Sequence, residues 1–321
     1  MKLSGIRVVD LSVFLPGPYL TKALADHGAE VIKVEAPGEG DPVRHLGPSD
    51  GPSTVYFRNF NRGKKSVVLN LKDPADRQAL LGLCDGADVF VETFRPGVMD
   101  RLGIGYAQLS ARNPRIVYCS ISAFGQNGPY RDRPSHDLGV EAVSGVLSVS
   151  QGRDGQPAIP AVAAADMVAS LQGLAGILMA LLRRQATGEG DYLDISMHDS
   201  VVSASANLLG ALGRAELAAL CERGPGPHQQ PVEQFLRDTF RTRTRDEWVQ
   251  YLSKLDVCFG ELNTFPEALR DAHLNARGMI LVDDLGRRHL GSPIRFAREP
   301  AQVDLHEPAM GEHGAAILGR P

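Results

Sequence analysis

The stretch IRVVDLSVFLPGPYLTKALADHGAEVIKV, residues 6–34, decides the fold of this chain. The β-branched run Ile6–Leu11 predicts a strand, and Pro18 suits the first turn of a helix that continues over Tyr19–His27 before a glycine ends it. Val31–Val34 is a second β-branched run and predicts another strand. A strand, a helix and a strand in this order form a βαβ unit, whose two strands are parallel.

The same alternation continues through the first half of the chain. Ser66–Leu71 predicts a strand, a helix follows from Asp73 to Gly86, and further strands are predicted at Val89–Val91 and Arg115–Ile121. The predicted fold class is therefore α/β, with a Rossmann-like open parallel sheet. Ligands of such sheets bind beyond the carboxyl ends of the strands. Because no GxGxxG fingerprint follows the first strand, NAD is not expected.

The second half contains one long helix and then a change of composition. Apolar residues recur at helical spacing over Asp166–Gln185, and the Gly- and Pro-rich stretch 224–230 is typical of a linker. We predict a large Rossmann-like domain over residues 1–188, followed by a linker and a smaller second domain over residues 189–290. A C-terminal segment, residues 291–321, is expected to return to the large domain.

The composition is that of a globular protein. The 321 residues carry a formal net charge of -4 and are 43% hydrophobic, so neither nucleic acid nor a membrane is an expected partner. The four cysteines are widely spaced, which argues against a structural zinc site and favours a reducing, cytoplasmic location. The start Met1–Gly5 lacks an apolar signal core, and no uninterrupted apolar run approaches the roughly 20 residues that span a bilayer.

Four features carry side chains that could do chemistry. They are the basic turn Asn61–Ser66, the turn Phe94–Gly97 after a strand, the run Ser135–Asp137, and Asp166 at a predicted helix start. Taken singly, each has an ordinary structural explanation, such as a solvated turn or a helix cap. The run Ser135–Asp137 is not a catalytic triad, because adjacent side chains point apart whereas triad members converge from distant positions.

The positions of these residues on the sheet favour a functional interpretation. Arg62, Lys64 and Arg95 flank strands of one parallel sheet, so a phosphorylated ligand at its edge could meet them. We expect the helix start to hold Asp166 ionised, and an ionised carboxylate can attack an acyl group. Histidine is the side chain best suited to proton transfer near neutral pH, so His136 could act as a general acid or base.

At these residues the chain resembles the family III CoA-transferases (CaiB/BaiF), the family of formyl-CoA transferase, which also contains α-methylacyl-CoA racemase. The matching segments follow the family order along nearly the whole chain. They are PGPY at 16–19, LADHGAEVIKVE at 24–35, NRGKKS at 61–66, FRPGVMDRLG at 94–103, FGQNGPY at 124–130, TGEGDYLDISMHD at 187–199, FRTRTRDEW at 240–248 and GEH at 311–313.

The resemblance implies a fold, a ligand and a set of site residues. Members of the family have two domains, and two chains interlock into a homodimer with each active site at a domain and subunit boundary. CoA enters as a substrate with no further cofactor and no metal, and the second substrate is a carboxylic acid. By resemblance, Asp166 forms covalent acyl-enzyme and aspartyl-CoA intermediates, with His136 and Asp137 beside it. The positions that match CoA-binding residues are Arg62, Lys64, Arg95, Pro16, Asn61 and Phe94.

Departures from the family pattern leave the reaction open. Some tens of residues that family members carry are missing around residues 213–231, and Ala36 and Gly139 replace an Arg and an Asn of the racemase. The first hypothesis is a CoA-transferase that moves CoA between carboxylic acids through Asp166. The second is an α-methylacyl-CoA racemase that exchanges the α-proton with His136 and Asp166. The third is a CoA-binding paralogue without activity.

Overall fold

The computed structural model describes residues 1–49, 51–150, 152, 156–204, 234, 237–255, 261–296 and 298–319. The chain divides into two compact units. The first unit combines residues 1–204 with 279–321, and the second contains residues 205–278. The segment around residues 213–231, where the sequence departs from the family pattern, lies outside the described residues.

The first unit alternates strands and helices. Its strands are β1 (Arg7–Asp10), β2 (Glu30–Glu35), β3 (Lys65–Val68), β4 (Val89–Glu92), β5 (Val117–Ser122), β6 (Asp191–Ser196), β7 (Ile280–Val282) and β8 (Arg288–Leu290). Its helices are α1 (Pro16–Asp26), α2 (Val55–Asn61), α3 (Pro74–Asp85), α4 (Val98–Arg101), α5 (Tyr106–Arg112), α6 (Asp137–Val143), α7 (Val146–Val149), α8 (Ala164–Thr187), α9 (Met197–Ala204) and, near the C-terminus, the helix Gly314–Leu318.

Six strands form one sheet in the order β3-β2-β1-β4-β5-β6, and every neighbouring pair is parallel. The central strands are buried on both faces, as their continuous β-branched runs require. One hydrophobic core lies on each face of the sheet, the first with α1 and α8 and the second with α3 and α5. The predicted α/β class with an open parallel sheet is confirmed.

The first unit extends beyond the predicted boundary at residue 188. β6 pairs with β5 along its whole length, from Asp191 opposite Val117 to Ser196 opposite Ser122. The antiparallel pair β7 and β8 also belongs to this unit, although it precedes the predicted return at residue 291. The first unit therefore ends at residue 204 and resumes at residue 279, and the need for β6 as the last strand of the sheet accounts for the first of these boundaries.

The C-terminal segment packs on the rest of the first unit through backbone hydrogen bonds. Gly63 donates to the carbonyl of His306 at 2.8 Å, and His313 donates to the carbonyl of Ser66 at 2.9 Å. The helix Gly314–Leu318 then lies against β3. This segment covers the basic turn that precedes β3, which has consequences for the candidate site.

Helix α8 is the long apolar helix that the sequence predicts, with slightly wider bounds. By length and composition it could cross a bilayer, and among the described helices it alone passes that test. It packs against α1, α9, β5 and β6, so its inner face is part of the core. Its outer face carries exposed apolar side chains at helical spacing, namely Leu171, Leu178, Met179 and Leu182.

The described part of the second unit contains short helices. They are α10 (Arg245–Leu252), α11 (Phe265–Ala268) and α12 (Ala272–Ala276). A Thr–Glu capping box starts α10 and another starts α11, as the sequence pattern at each start requires.

Candidate active site

A cavity of about 400 Å³ opens beyond the carboxyl ends of β1, β4 and β5. Loops that follow these strands form one wall, and the starts of α6 and α8 form another. This is the edge at which open parallel sheets bind ligands. Five of the predicted site residues line this cavity together: Pro16, Phe94, Arg95, His136 and Asp166.

Asp166 lies in the first turn of α8 and not at its N-cap position. The N-cap residue is Ala163, which has no side chain that could cap the helix. Helix α6 supplies the missing acceptors, since Glu141 Oε1 accepts from the N–H of Ala164 and Asp137 Oδ1 accepts from the N–H of Asp166, each at 3.0 Å. Two carboxyl groups from α6 therefore fix the start of the helix that carries Asp166.

The same two carboxyl groups set the electrostatics of Asp166. Burial, together with the charges of Asp137 and Glu141, raises the pKa of Asp166 to about 7. This corrects the expectation that the helix start would keep the side chain ionised, because desolvation and like charges outweigh the helix dipole here. Near neutral pH the free protein therefore contains both the carboxylic acid and the carboxylate.

His136 lies where α6 begins and faces the cavity. Its imidazole ring contacts the ring of Phe14 edge to face, with centroids 5.4 Å apart. Phe14 follows β1 and, among the described residues, is the only non-glycine residue with a positive φ, 62°. A bulky residue in that conformation is strained, and such strain is common where a backbone is held for a ligand.

The basic turn before β3 does not reach the cavity. Arg62 is fully buried, pairs with Asp26 at 2.6 Å, and donates to the carbonyl of Leu290 at 2.7 Å. Lys64 is also buried and donates to Asp10, at 3.0 Å, and to Asn61 Oδ1, at 2.9 Å. The prediction that Arg62, Lys64 and Asn61 contact CoA is therefore not supported by this geometry. Helix α1 and the C-terminal segment cover the turn, and each cation already has a carboxylate partner.

The pair formed by Lys64 and Asp10 is part of a buried charge network. Burial opposes ionisation of Asp10, but Lys64 and Lys33 together hold its pKa at about 2. Burial lowers the pKa of Lys64 to about 8, against the opposing effect of Asp10. Lys33 in turn pairs with the buried Asp41 at 2.7 Å. We assign these residues a structural role beneath the sheet edge.

A second cavity, of about 550 Å³, lies beyond the carboxyl ends of β1, β2 and β3. Val13 and Phe94 line both cavities, so the two lie side by side along the sheet edge. The walls of the second cavity are mainly apolar, and Lys72 and Arg101 are exposed cations at its border. An elongated ligand with a polar middle would fit such a pair of cavities.

Cationic side chains surround the loop between the two cavities. Gly97 lies in this loop and has a φ of 76°. The guanidinium groups of Arg101 and Arg131 approach it so closely that a Cβ atom at Gly97 would lie 3.2 Å from Arg101 Nη1 and 3.3 Å from Arg131 Nη2. Arg95 is exposed on the same loop. Arg101, Arg131 and Lys72 were not among the predicted site residues. Their positions shortly after strands were the signal that could have identified them.

The buried side chain of Glu92 stabilises the start of the loop that contains Arg95 and Gly97. Glu92, the last residue of β4, accepts a hydrogen bond from the N–H of Phe94 at 2.7 Å. Burial raises the pKa of Glu92 to about 7, and Asp100 and Asp194 lie close enough to add to the effect. Glu92 was not among the predicted site residues.

The model of CoA-transferase family III matches this chain over residues 3–216 and 203–314. Acetyl-CoA:oxalate CoA-transferase of Acetobacter aceti is 44% identical over 369 aligned positions, which cover 98% of this chain and 94% of the relative. Succinate–glutarate CoA-transferase of Agrobacterium fabrum is 40% identical, with 98% and 94% covered. Human succinyl-CoA:glutarate CoA-transferase is 38% identical, with 98% and 85% covered.

Solved structures show the same likeness. The crystal structure of a CaiB/BaiF family protein from Brucella suis superposes with a TM-score of 0.88 and is 30% identical, covering 99% of this chain and 98% of the other. The two matches to the family model meet around residues 203–216. The alignment with the Acetobacter aceti relative has more positions than this chain has residues, so that relative carries additional segments.

Proposed function

The chain belongs to CoA-transferase family III, and we propose that it moves CoA between two carboxylic acids through covalent intermediates on Asp166. Family membership rests on the match of the family model over most of the chain, which confirms the resemblance seen in the sequence. The observation that supports the proposed chemistry is the position of Asp166. Its carboxyl group lies in a cavity at the carboxyl edge of the sheet, at the start of a helix that α6 holds in place.

The proposed reaction uses the carboxylate of Asp166 as the nucleophile. It attacks the thioester carbonyl of the donor acyl-CoA, the C–S bond breaks, and CoA leaves as a thiolate. The thiolate then attacks the aspartyl carbonyl of the mixed anhydride and releases the donor acid, which leaves an aspartyl-CoA thioester. The acceptor carboxylate attacks the aspartyl carbonyl of this thioester, the C–S bond breaks, and a second mixed anhydride forms with release of the CoA thiolate. The thiolate finally attacks the acceptor acyl carbon, and the carboxylate of Asp166 leaves in its free form.

The two adjoining cavities support a placement for CoA. The thioester end would lie in the first cavity beside Asp166, and the adenosine end would lie in the larger apolar cavity. Arg95 and Arg101 flank the loop between the cavities and would hold the diphosphate, because guanidinium groups form paired hydrogen bonds with phosphate oxygens. Lys72 at the border of the second cavity would hold the remaining phosphate.

We propose a small dicarboxylic acid as the acceptor. Arg131 and Arg133 line the same cavity as Asp166, so one carboxylate could react while a guanidinium holds the other. Arg131 is fixed by a hydrogen bond from its Nε to the carbonyl of Gln126 at 2.9 Å. The names of the relatives support this choice, since oxalate and glutarate are dicarboxylates.

The test is mass spectrometry of the intact protein after incubation with acetyl-CoA, succinyl-CoA or butyryl-CoA, with and without hydroxylamine. We expect a mass increase on the wild-type protein and an acyl hydroxamate in the presence of hydroxylamine. Neither product should form with Asp166→Asn. Transfer to oxalate, succinate and glutarate should exceed transfer to formate and butyrate. Equal acyl-enzyme formation in Asp166→Asn would refute Asp166 as the nucleophile.

The racemase remains the second candidate, because one specific observation favours it. His136 and Asp166 line the same cavity, so two groups able to carry a proton face one ligand site. Proton exchange at the α-carbon without any acceptor acid would distinguish this reaction from transfer.

The proposal includes a homodimer in the cytoplasm. The exposed apolar face of α8, formed by Leu171, Leu178 and Leu182, is the kind of surface that a second subunit covers. Light scattering at micromolar concentration should give twice the mass of the chain. A monomer mass at that concentration would refute this part of the proposal without affecting the chemistry.

A further inference from the structure

Glu141 is a buried carboxyl group with one oxygen that has no donor. Its side chain is fully buried, and Oε1 accepts from the N–H of Ala164. Among the described residues, no group donates a hydrogen bond to Oε2. Burying an ionised carboxylate with an unsatisfied oxygen costs free energy, so this environment favours the protonated form of Glu141.

The neighbour that can share the proton is Asp137. It lies four residues earlier on the same helix, so the two side chains occupy one face of α6. Besides burial, the charge of Asp137 and a hydrogen bond to its side chain raise the pKa of the Glu141 carboxyl. Two carboxyl groups can form a hydrogen bond only when one of them carries a proton. Asp137 Oδ1 meanwhile accepts from the N–H of Asp166.

We propose that Glu141 is a positioning residue that shares one proton with Asp137, so that the pair caps α8 while presenting a single negative charge to Asp166. The inference rests on the proposed role of Asp166. Each oxygen of the pair then has a function, because two accept from the start of α8 and the others hold the proton between them. With the proton lost, the pair would carry two charges beside a site that receives carboxylates and releases a thiolate.

Other ionisable groups lie on the elements around the pair. Burial raises the pKa of the Tyr56 phenol on α2, and the charges of Asp166, Asp41 and Asp137 add to the effect. Burial and Asp137 raise the pKa of Glu141 itself. The remaining ionisable groups on α6, its N-cap, α8 and α9 are His136, Arg183, Arg184, His198 and Asp199.

The substitution Glu141→Gln imitates the protonated side chain. Glutamine keeps an oxygen for the N–H of Ala164 and donates an N–H to Asp137, but it cannot lose a proton. We expect the wild-type rate of CoA transfer to fall at alkaline pH as the shared proton is lost. The Glu141→Gln variant should match the wild type within about threefold at pH 7 and should keep its rate where the wild type has lost tenfold.

Two further variants serve as controls. Glu141→Ala removes the acceptor for the N–H of Ala164 and should lower both kcat and the melting temperature. A lower kcat without a lower melting temperature would contradict the positioning role of Glu141. Glu189→Gln changes the charge of the chain equally at an exposed loop after α8 and should reproduce the wild-type pH profile. An alkaline fall in Glu141→Gln equal to that of the wild type would overturn the inference.

A measurement without turnover separates this inference from the proposed function. Infrared spectroscopy distinguishes the C=O stretch of a carboxylic acid from that of a carboxylate. We expect an acid band in the wild type and in Glu189→Gln at about pH 8, where Asp166 and Glu92 are both largely ionised, and a loss of most of this band in Glu141→Gln. A wild-type protein without this band would refute the shared proton, whereas a band with no transfer activity would refute only the role of Asp166.

Discussion

The backbone N–H of Asp166 donates a hydrogen bond to Asp137 Oδ1 at 3.0 Å, so the acid that fixes this residue also repels its charge. Position and reactivity are therefore linked. A carboxylate whose ionisation is disfavoured is more basic, and it is a better nucleophile once it is ionised. Helix α6 thus determines both where Asp166 lies and the pH at which it can react.

The first prediction concerns the acid side of the pH profile. Because Asp166 must be ionised to attack and its pKa is raised to about 7, the rate of transfer should rise with pH through this value. The double variant Asp137→Asn/Glu141→Gln removes the neighbouring negative charge while keeping both acceptors for α8. Its acid limb should move down by about one pH unit or more. An unmoved acid limb would assign the ionisation to another group.

The second prediction concerns stability. The pKa of Asp166 is higher in the folded protein than the ordinary value of 3.8, so folding favours the protonated form. The side chain therefore costs no stability below about pH 4, and the cost grows as pH rises through about 7. Asp166→Asn should raise the free energy of unfolding at about pH 8 by on the order of 2–4 kcal/mol. Urea unfolding at about pH 4 and pH 8 tests this, and an equal difference at both would contradict it.

The sequence predicted the fold class, and it predicted several of the residues that line the candidate site. Continuous β-branched runs and the βαβ order predicted the parallel sheet. The rule for strand ends predicted Arg95 at the carboxyl edge, where His136 and Asp166 line the same cavity. Arg62 and Lys64 precede β3 and are buried against carboxylates, whereas ligand sites of parallel sheets lie beyond the ends of strands. Charge in a sequence does not reveal whether a cation already has a buried partner.

The ionisation of Asp166 was not predictable for a different reason. The groups that raise its pKa lie on α6, more than 20 residues earlier in the chain, and only packing brings them to the start of α8. Glu141 looks like an ordinary helix residue in the sequence. Its burial and its contact with α8 follow from tertiary structure.

The third prediction concerns Arg101, an exposed arginine at the border of the second cavity. Arg101→Ala should weaken CoA binding by about 10- to 100-fold, since a charged hydrogen bond to phosphate contributes roughly 1.5–3 kcal/mol. Arg183→Ala is the matched control, because Arg183 is an exposed arginine on α8 that lines neither of the two cavities. This variant should bind CoA normally. Calorimetry with CoA measures both. Unchanged affinity in Arg101→Ala would remove Arg101 from the site.

The fourth prediction concerns the buried pair of Lys64 and Asp10. Lys64→Met leaves Asp10 without its closest cation and should lower the free energy of unfolding by about 3–5 kcal/mol. The double variant Asp10→Asn/Lys64→Met should recover part of this loss, because no uncompensated charge remains. Urea unfolding of the two variants gives the comparison. A strong loss of CoA affinity in folded Lys64→Met would instead return Lys64 to the binding site.

The fifth prediction distinguishes transfer from racemisation. Transfer needs no proton at the α-carbon, whereas racemisation removes that proton with one base and returns it from the other face with a second. We expect a 2-methylacyl-CoA in heavy water to gain no deuterium at its α-carbon, while hydroxylamine traps an acyl group from the same enzyme. His136→Ala should retain transfer within about tenfold, because a general acid or base contributes more than that only when a proton moves in the rate-limiting step.

Rapid deuterium uptake that His136→Ala abolishes, with no trapped acyl group, would replace the transferase with the racemase. The two reactions share the cavity and Asp166, so this outcome would change the role of Asp166 from nucleophile to base and leave its position unchanged.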